Sequence, residues 1–172
     1  MPWRRGLEGL REPYRSLIAR LVNELKKRFG GKLVSVVIYG SIARGDYSKD
    51  SDIDVLIIVE ELPGSKLRRQ KLFLEVEESL SGIMESLEKE GYHIDFSPVL
   101  KTVREASHIS PLYLDMVEDA IIVYDKNGFF EKILARLRDR LEKLGARRVR
   151  VGRKWYWVLK DKYRFGEVIR IE

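Results

Sequence analysis

Residues 52–60 read DIDVLIIVE, and the five at its centre, Val55 to Val59, are all aliphatic. A run this short and this apolar reads as a strand buried on both faces of a sheet. A chain containing such a strand must supply cover for two faces, which restricts it to a layered architecture. The same strand opens on Asp52 and Asp54, two carboxylates at the mouth of the most hydrophobic segment. Charges are costly beside a core unless something compensates them, so this pair needs a chemical reason.

The flanking sequence supplies helices for both faces. Leu7, Leu10, Tyr14, Leu17, Leu21, Leu25 and Phe29 recur at three- and four-residue steps, predicting an amphipathic helix that Gly30-Gly31 ends. KLVSVVIY (32–39) predicts a strand running into Gly40. Leu72, Val76, Leu80, Ile83 and Leu87 predict one long helix from about 66 to 89, and YHIDFSPVL (92–100) a third strand, with Pro98 arguing for a sheet edge. A helix over 109–120, an extended segment over 120–125 and an amphipathic helix over 130–144 follow. In the last stretch a turn near 161–166 would pair WYWVL with EVIRI as a hairpin. The expected fold is α/β (α+β): a small mixed sheet flanked by helices, with a C-terminal β-hairpin extension. Residues 1–125 would form the main unit and 126–172 a helix plus basic hairpin packed on it.

Composition narrows the setting. Hydrophobic residues make up 44% of the 172, enough for a sizeable core, while charged residues reach 35%. There is no cysteine, and Asn23, Asn127 and Gln70 are the only side-chain amides, a pattern of the kind found in thermophile proteins. Without thiols the expected location is the cytoplasm. No run of eighteen apolar residues occurs, so no membrane partner is expected. The net charge of +6 is uneven: from Arg136 onward thirteen basic residues face five acidic ones. That basic segment suggests an anionic partner, nucleic acid among them, with a solvated surface as the plain alternative. Trp155, Tyr156 and Trp157 beside Arg153 and Lys154 could stack bases, but packing of the hairpin is the preferred reading. His93 and His108 lack zinc-ligand spacing.

Asp52 and Asp54 are two apart on a strand, so they share a face at roughly 6–7 Å. Magnesium binds through one or two carboxylates, waters and phosphates, and would relieve their repulsion. Asp95, between Ile94 and Phe96, is a third acidic residue in apolar company. If its strand lies beside that of the pair, it comes within about 5 Å laterally. Three such carboxylates suit two metals about 3.5–4 Å apart, the arrangement for in-line displacement at phosphorus. Upstream, Gly40-Ser41 ends a strand at the start of a helical turn: Gly40 admits a phosphate to the backbone and Ser41 offers a donor, while Arg44 could neutralise further charge. Ser51 reads as a turn cap before Asp52.

Together, YGSIARGDYSKDSDIDVLII resembles the motif of the nucleotidyltransferase superfamily: an apolar strand, Gly-Ser, a spacer, and Asp-x-Asp before apolar residues. The ten-residue spacer between Ser41 and Asp52 is similar to that of the small stand-alone minimal nucleotidyltransferases. The resemblance spans about residues 33–97. It implies the DNA polymerase beta-like palm, magnesium, two ions during catalysis, and transfer of a nucleoside monophosphate from a nucleoside triphosphate to a hydroxyl, with AMP from ATP the leading expectation. It further implies that Asp52 and Asp54 bind both metals, that Asp95 binds the metal activating the acceptor, and that Gly40 and Ser41 hold the triphosphate. Some members pair with small helical RNase toxins and modify them with AMP, which makes a protein partner one expectation. The rival expectations are a non-catalytic, antitoxin-type binding module of the same fold and a nucleic-acid binder using the basic end. An exposed apolar stripe on the 7–29 or 130–144 helix would favour the binding module. The acceptor, the nucleotide and the oligomeric state stay open.

Overall fold

The computed structural model describes residues 3–152 and 154–171. A five-stranded mixed sheet runs through the centre, in the order β1-β5-β2-β3-β4. Its strands are β1 (Arg4–Arg5), β2 (Leu33–Tyr39), β3 (Ile53–Val59), β4 (Phe96–Thr102) and β5 (Ile121–Asp125). β3 lies between an antiparallel β2 and a parallel β4. β4 is an edge strand, where the missing N–H of Pro98 does no harm.

The double burial expected of Val55–Val59 is realised by alternation. Ile53, Val55, Ile57 and Val59 face one core shared with α1 (Tyr14–Phe29), α3 (Lys66–Glu78) and α4 (Ser81–Lys89). Leu56 and Ile58 face a second core built with α5 (Val103–Ser107), α6 (Leu112–Asp119) and α7 (Phe129–Leu144). The result is a helix–sheet–helix sandwich. No described helix is long and apolar enough to cross a membrane.

Three expectations need correction. The first helix begins at Tyr14 rather than Leu7; Leu7 and Leu10 pack against the core from turns that precede Pro13. The long helix predicted over 66–89 is two, broken at Ser79 and Leu80, where the Ser79 hydroxyl donates back to the Glu75 carbonyl at 3.2 Å. The C-terminal hairpin is formed by β6 (Arg147–Val151) and β7 (Lys154–Val158), not by WYWVL with EVIRI. Gly152, at φ 61°, follows β6, and strands this close in sequence cost less loop closure than a pair joined through the turn expected at 161–166. Trp157 packs into the second core, whereas Trp155 and Tyr156 stay exposed. Arg153, one of the two basic residues next to them, lies outside the described residues, as does the side chain of Lys154.

Candidate active site

β2 delivers the chain to Tyr39, and the next residue, Gly40, turns at φ 71° into the short helix α2 (Gly40–Arg44). Two independent constraints select glycine there. The positive φ is one; the other is Asp54, whose Oδ2 would lie 2.0 Å from a Cβ added at Gly40. Ile42 and Ala43 are buried and anchor α2, leaving Ser41 and Arg44 half-buried on its open side. Gly45, at φ 83°, ends the helix in the left-handed conformation.

The loop back to β3 is ordered by its own side chains. Tyr47 meets Tyr14 edge-on at 4.7 Å between ring centres, and the Ser51 hydroxyl accepts from the Ser48 N–H at 2.9 Å. Ser51 thus closes the turn before Asp52. Asp52 is exposed at the strand mouth, and Asp54 is half-buried between Ile53 and Val55, which are fully buried. Register sets Asp54 opposite Tyr39 on β2 and Ser97 on β4. Burial raises the Asp54 carboxyl above its ordinary pKa, the like charge of Asp52 adds to this, and Arg44 opposes it. Burial and the charge of Asp54 in turn push the Tyr39 phenol up to about 12.

Asp95 precedes β4 and is exposed. Its carbonyl accepts from the Ile53 N–H at 2.8 Å, and the pairing of Ile53 with Phe96 sets Asp95 level with Asp52. Its charge, however, acts on Glu77 of α3, whose pKa is raised by burial and then by Asp95. Asp95 also lines a cleft of about 640 Å³ along α3 and α4. The fold therefore brings Asp52, Asp54, Arg44 and Gly40 together, and sets Asp95 at the same end of the neighbouring strand with its charge felt on the α3 side. Among the described residues no group of three or more His, Cys, Asp or Glu side chains is arranged to hold a metal ion. The pair alone still suits a hard cation. Its donors are carboxylate oxygens, no hydrogen bond among the described residues ends on either carboxylate, and the Asp54 pKa, raised first by burial and then by the charge of Asp52, marks a carboxylate that a divalent ion would stabilise.

Two participants were not legible in the sequence pattern. Tyr39 faces Asp54 across the ladder. Arg4 ties α2 to the rest of the fold: its guanidinium donates to the Ala43 carbonyl in α2 and, at 2.9 Å, to the Asp119 carbonyl at the end of α6. Nothing local marks Arg4, because both partners are distant in sequence; for Tyr39 the only signal is its place immediately before Gly-Ser.

A strand–turn–strand that sets an Asp-x-Asp pair against a Gly-Ser turn defines a class of phosphoryl-transfer fold. The family model described as nucleotidyltransferase domain matches residues 18–123, and the chain belongs to that family. It is a nucleotidyltransferase enzyme. A protein of Methanocaldococcus jannaschii carrying the provisional name protein adenylyltransferase MJ1305 is 28% identical over 131 residues, 75% of this chain and 84% of its own. Protein adenylyltransferase MntA of Thermococcus cleftensis is 37% identical over 73 residues, 42% of this chain and 67% of its own. A solved toxin–antitoxin structure, MntA-HepT, is 14% identical, with a TM-score of 0.45 over 76% of this chain and 92% of that one.

Proposed function

We propose that the chain transfers AMP from ATP to a hydroxyl group of a protein acceptor, with magnesium. The observation that carries the reading is the contact of Asp54 with Gly40, which joins the acidic pair to the phosphate-binding turn. The names of its sequence relatives support a protein as acceptor. That acceptor would be of the helical RNase toxin type if the likeness in motif extends to the partner.

Asp52 and Asp54 would hold magnesium, which supplies charge neutralisation for the triphosphate and for the attacking oxygen. Gly40 admits the phosphates to the backbone, and Ser41 and Arg44 bind and orient them. The acceptor oxygen attacks the α-phosphorus and forms a new P–O bond; the bond to the β-phosphate oxygen breaks and pyrophosphate leaves. Asp95, level with Asp52, takes the acceptor side, and its carboxylate can receive the hydroxyl proton. Tyr39, opposite Asp54 across the ladder, remains a neutral phenol at physiological pH. We assign this chemistry to residues 1–125, with 126–172 packed on the same domain, in a cytoplasmic setting that the cysteine-free composition supports.

An exposed apolar stripe on the first or last long helix would have favoured the binding-module reading. Leu17, Leu21 and Leu25 of α1 and Phe130, Leu134 and Leu137 of α7 are all fully buried, which favours the catalytic reading. The basic segment also spends charge internally, Arg147 on Asp161 and Arg148 on Asp119.

The test is incubation with labelled ATP, magnesium and a cell lysate, followed by identification of the labelled acceptor. Asp52→Asn and Asp54→Asn, each checked for native circular dichroism, are expected to lose transfer by on the order of a thousandfold. Transfer at the unmodified rate by both variants would sink the mechanism.

A further inference from the structure

Leu74, Glu77 and Glu78 share one face of α3, and Met84, Glu85 and Glu88 one face of α4, at three- and four-residue spacing. Because the chain breaks at Ser79 and Leu80, these faces belong to two helices, and with Tyr92 and Asp95 they line the cleft of about 640 Å³. Part of that lining is apolar: Met84 and Tyr92 are half-buried against the first core, and Leu74 stays 56% exposed. The rest is acidic. Glu77, Glu78, Glu85, Glu88 and Asp95 line the cleft and no lysine or arginine does, on a chain whose net charge is +6.

These carboxylates are uncommitted. Among the described residues none of the five takes a side-chain hydrogen bond or an ion pair, whereas Glu75, also on α3 but outside the cleft, is paired with Arg28 at 2.9 Å. Burial raises the Glu77 pKa and the charge of Asp95 raises it further, so the two repel. His93 on the wall and Lys49, 4.6 Å above the Tyr92 ring, leave the balance negative. A triphosphate is repelled by such a wall. A metal ion needs several carboxylates at one point, and no three described acidic side chains meet that way. Several cationic groups spaced along a chain suit the spread: each ammonium or guanidinium answers a carboxylate, while its aliphatic stem lies on Leu74 and Met84. The cleft reaches the catalytic end through Asp95, which is level with Asp52. Given a protein acceptor, as proposed above, we infer that this cleft docks a basic segment of it, studded with apolar residues, and so brings its hydroxyl to Asp95.

Met84 lines the cleft and Met116 is fully buried in the second core, so methyl-labelled methionine NMR of the full-length protein reads the cleft with an internal control. The probe is a short synthetic peptide alternating arginine, leucine and serine, added without ATP or metal. It is expected to move the Met84 methyl resonance to saturation and to leave that of Met116 in place. The same peptide with glutamate for arginine is expected to move neither. Glu78 and Glu85 are exposed and lie outside the reacting groups, so the double variant Glu78→Lys, Glu85→Lys keeps the fold, as circular dichroism checks. It is expected to weaken the peptide, read by fluorescence anisotropy, about tenfold, and to raise KM for the labelled acceptor about tenfold with KM for ATP unchanged. Binding that does not saturate, an unmoved Met84 resonance, equal binding of the glutamate peptide, or unchanged peptide affinity in the double variant overturns the docking site. An unchanged acceptor KM in a double variant that has lost the peptide overturns its link to the acceptor. Absence of any transfer by the natural protein strikes the proposed function instead, and peptide binding still decides the cleft.

Discussion

Asp54 shows how one residue can serve the site at the expense of the fold. Its folded carboxyl titrates above the unfolded value, chiefly through burial, so its ionised form opposes folding at neutral pH and protonation relieves that opposition. Asp54→Asn is therefore expected to raise the melting temperature at pH 7, with the gain shrinking as pH falls and the native carboxyl protonates. A melting series of both proteins from neutral to acid pH checks this, and an Asn variant less stable at pH 7 would contradict it. Gly40 makes the opposite demand. A methyl group there meets Asp54 and sits at a left-handed backbone angle, so Gly40→Ala is expected to lose about 1–3 kcal/mol of stability and most of the transfer activity. Chemical denaturation and the transfer assay measure both. Asp52, Asp54, Gly40 and Ser41 were readable from sequence because their meaning lies in short-range order along one strand–turn–strand. Tyr39 and Arg4 were not, because register and long-range hydrogen bonds give them their roles.

Among the elements, α2 is too short to hold itself. Its buried Ile42 and Ala43 fix one side, and Arg4 fixes its last turn from outside. Arg4→Gln is expected to loosen the turn that bears Ser41 and Arg44, raising KM for ATP about tenfold with a smaller change in kcat. Steady-state kinetics separate the two. The β4 end is held differently: Arg69 of α3 grips Glu105 through two bonds of 2.7 and 2.9 Å, and Thr102 completes a capping box. The hydrogen bond from Arg69 holds the Glu105 carboxyl down at about 2. A lowered carboxyl stabilises the fold above its ordinary value of 4.5, and that contribution fades as pH falls toward about 2. The stability gap between the natural protein and Glu105→Gln, followed by urea midpoints, should close over that window. Apolar periodicity marked α7 nearly to the residue, but it could not see the break between α3 and α4. Leu80 keeps the periodic pattern across Ser79, so the break leaves no mark in it.

At the scale of the molecule, the sheet is shared by both helical layers, and its middle strands are sealed on each side. Hydrogen exchange should accordingly be slowest in β2 and β3 and faster by orders of magnitude in β6 and β7, whose ladder has one neighbour and exposed Trp155 and Tyr156. Equal protection of hairpin and central strands would argue against that hierarchy. The sequence by itself determined the layered class, since five aliphatic residues in a row cannot be satisfied by a sheet covered on one face. It also determined the acidic pair and the glycine turn, whose spacing is set by strand pleat and backbone angle alone. Tertiary structure decided the partner of each hairpin strand, the level of Asp95 against Asp52, the clasp of Arg4, and the packing of Trp157 into the second core. Each of these depends on which distant segments share an edge or a face, and contacts made across a fold leave no period along the chain.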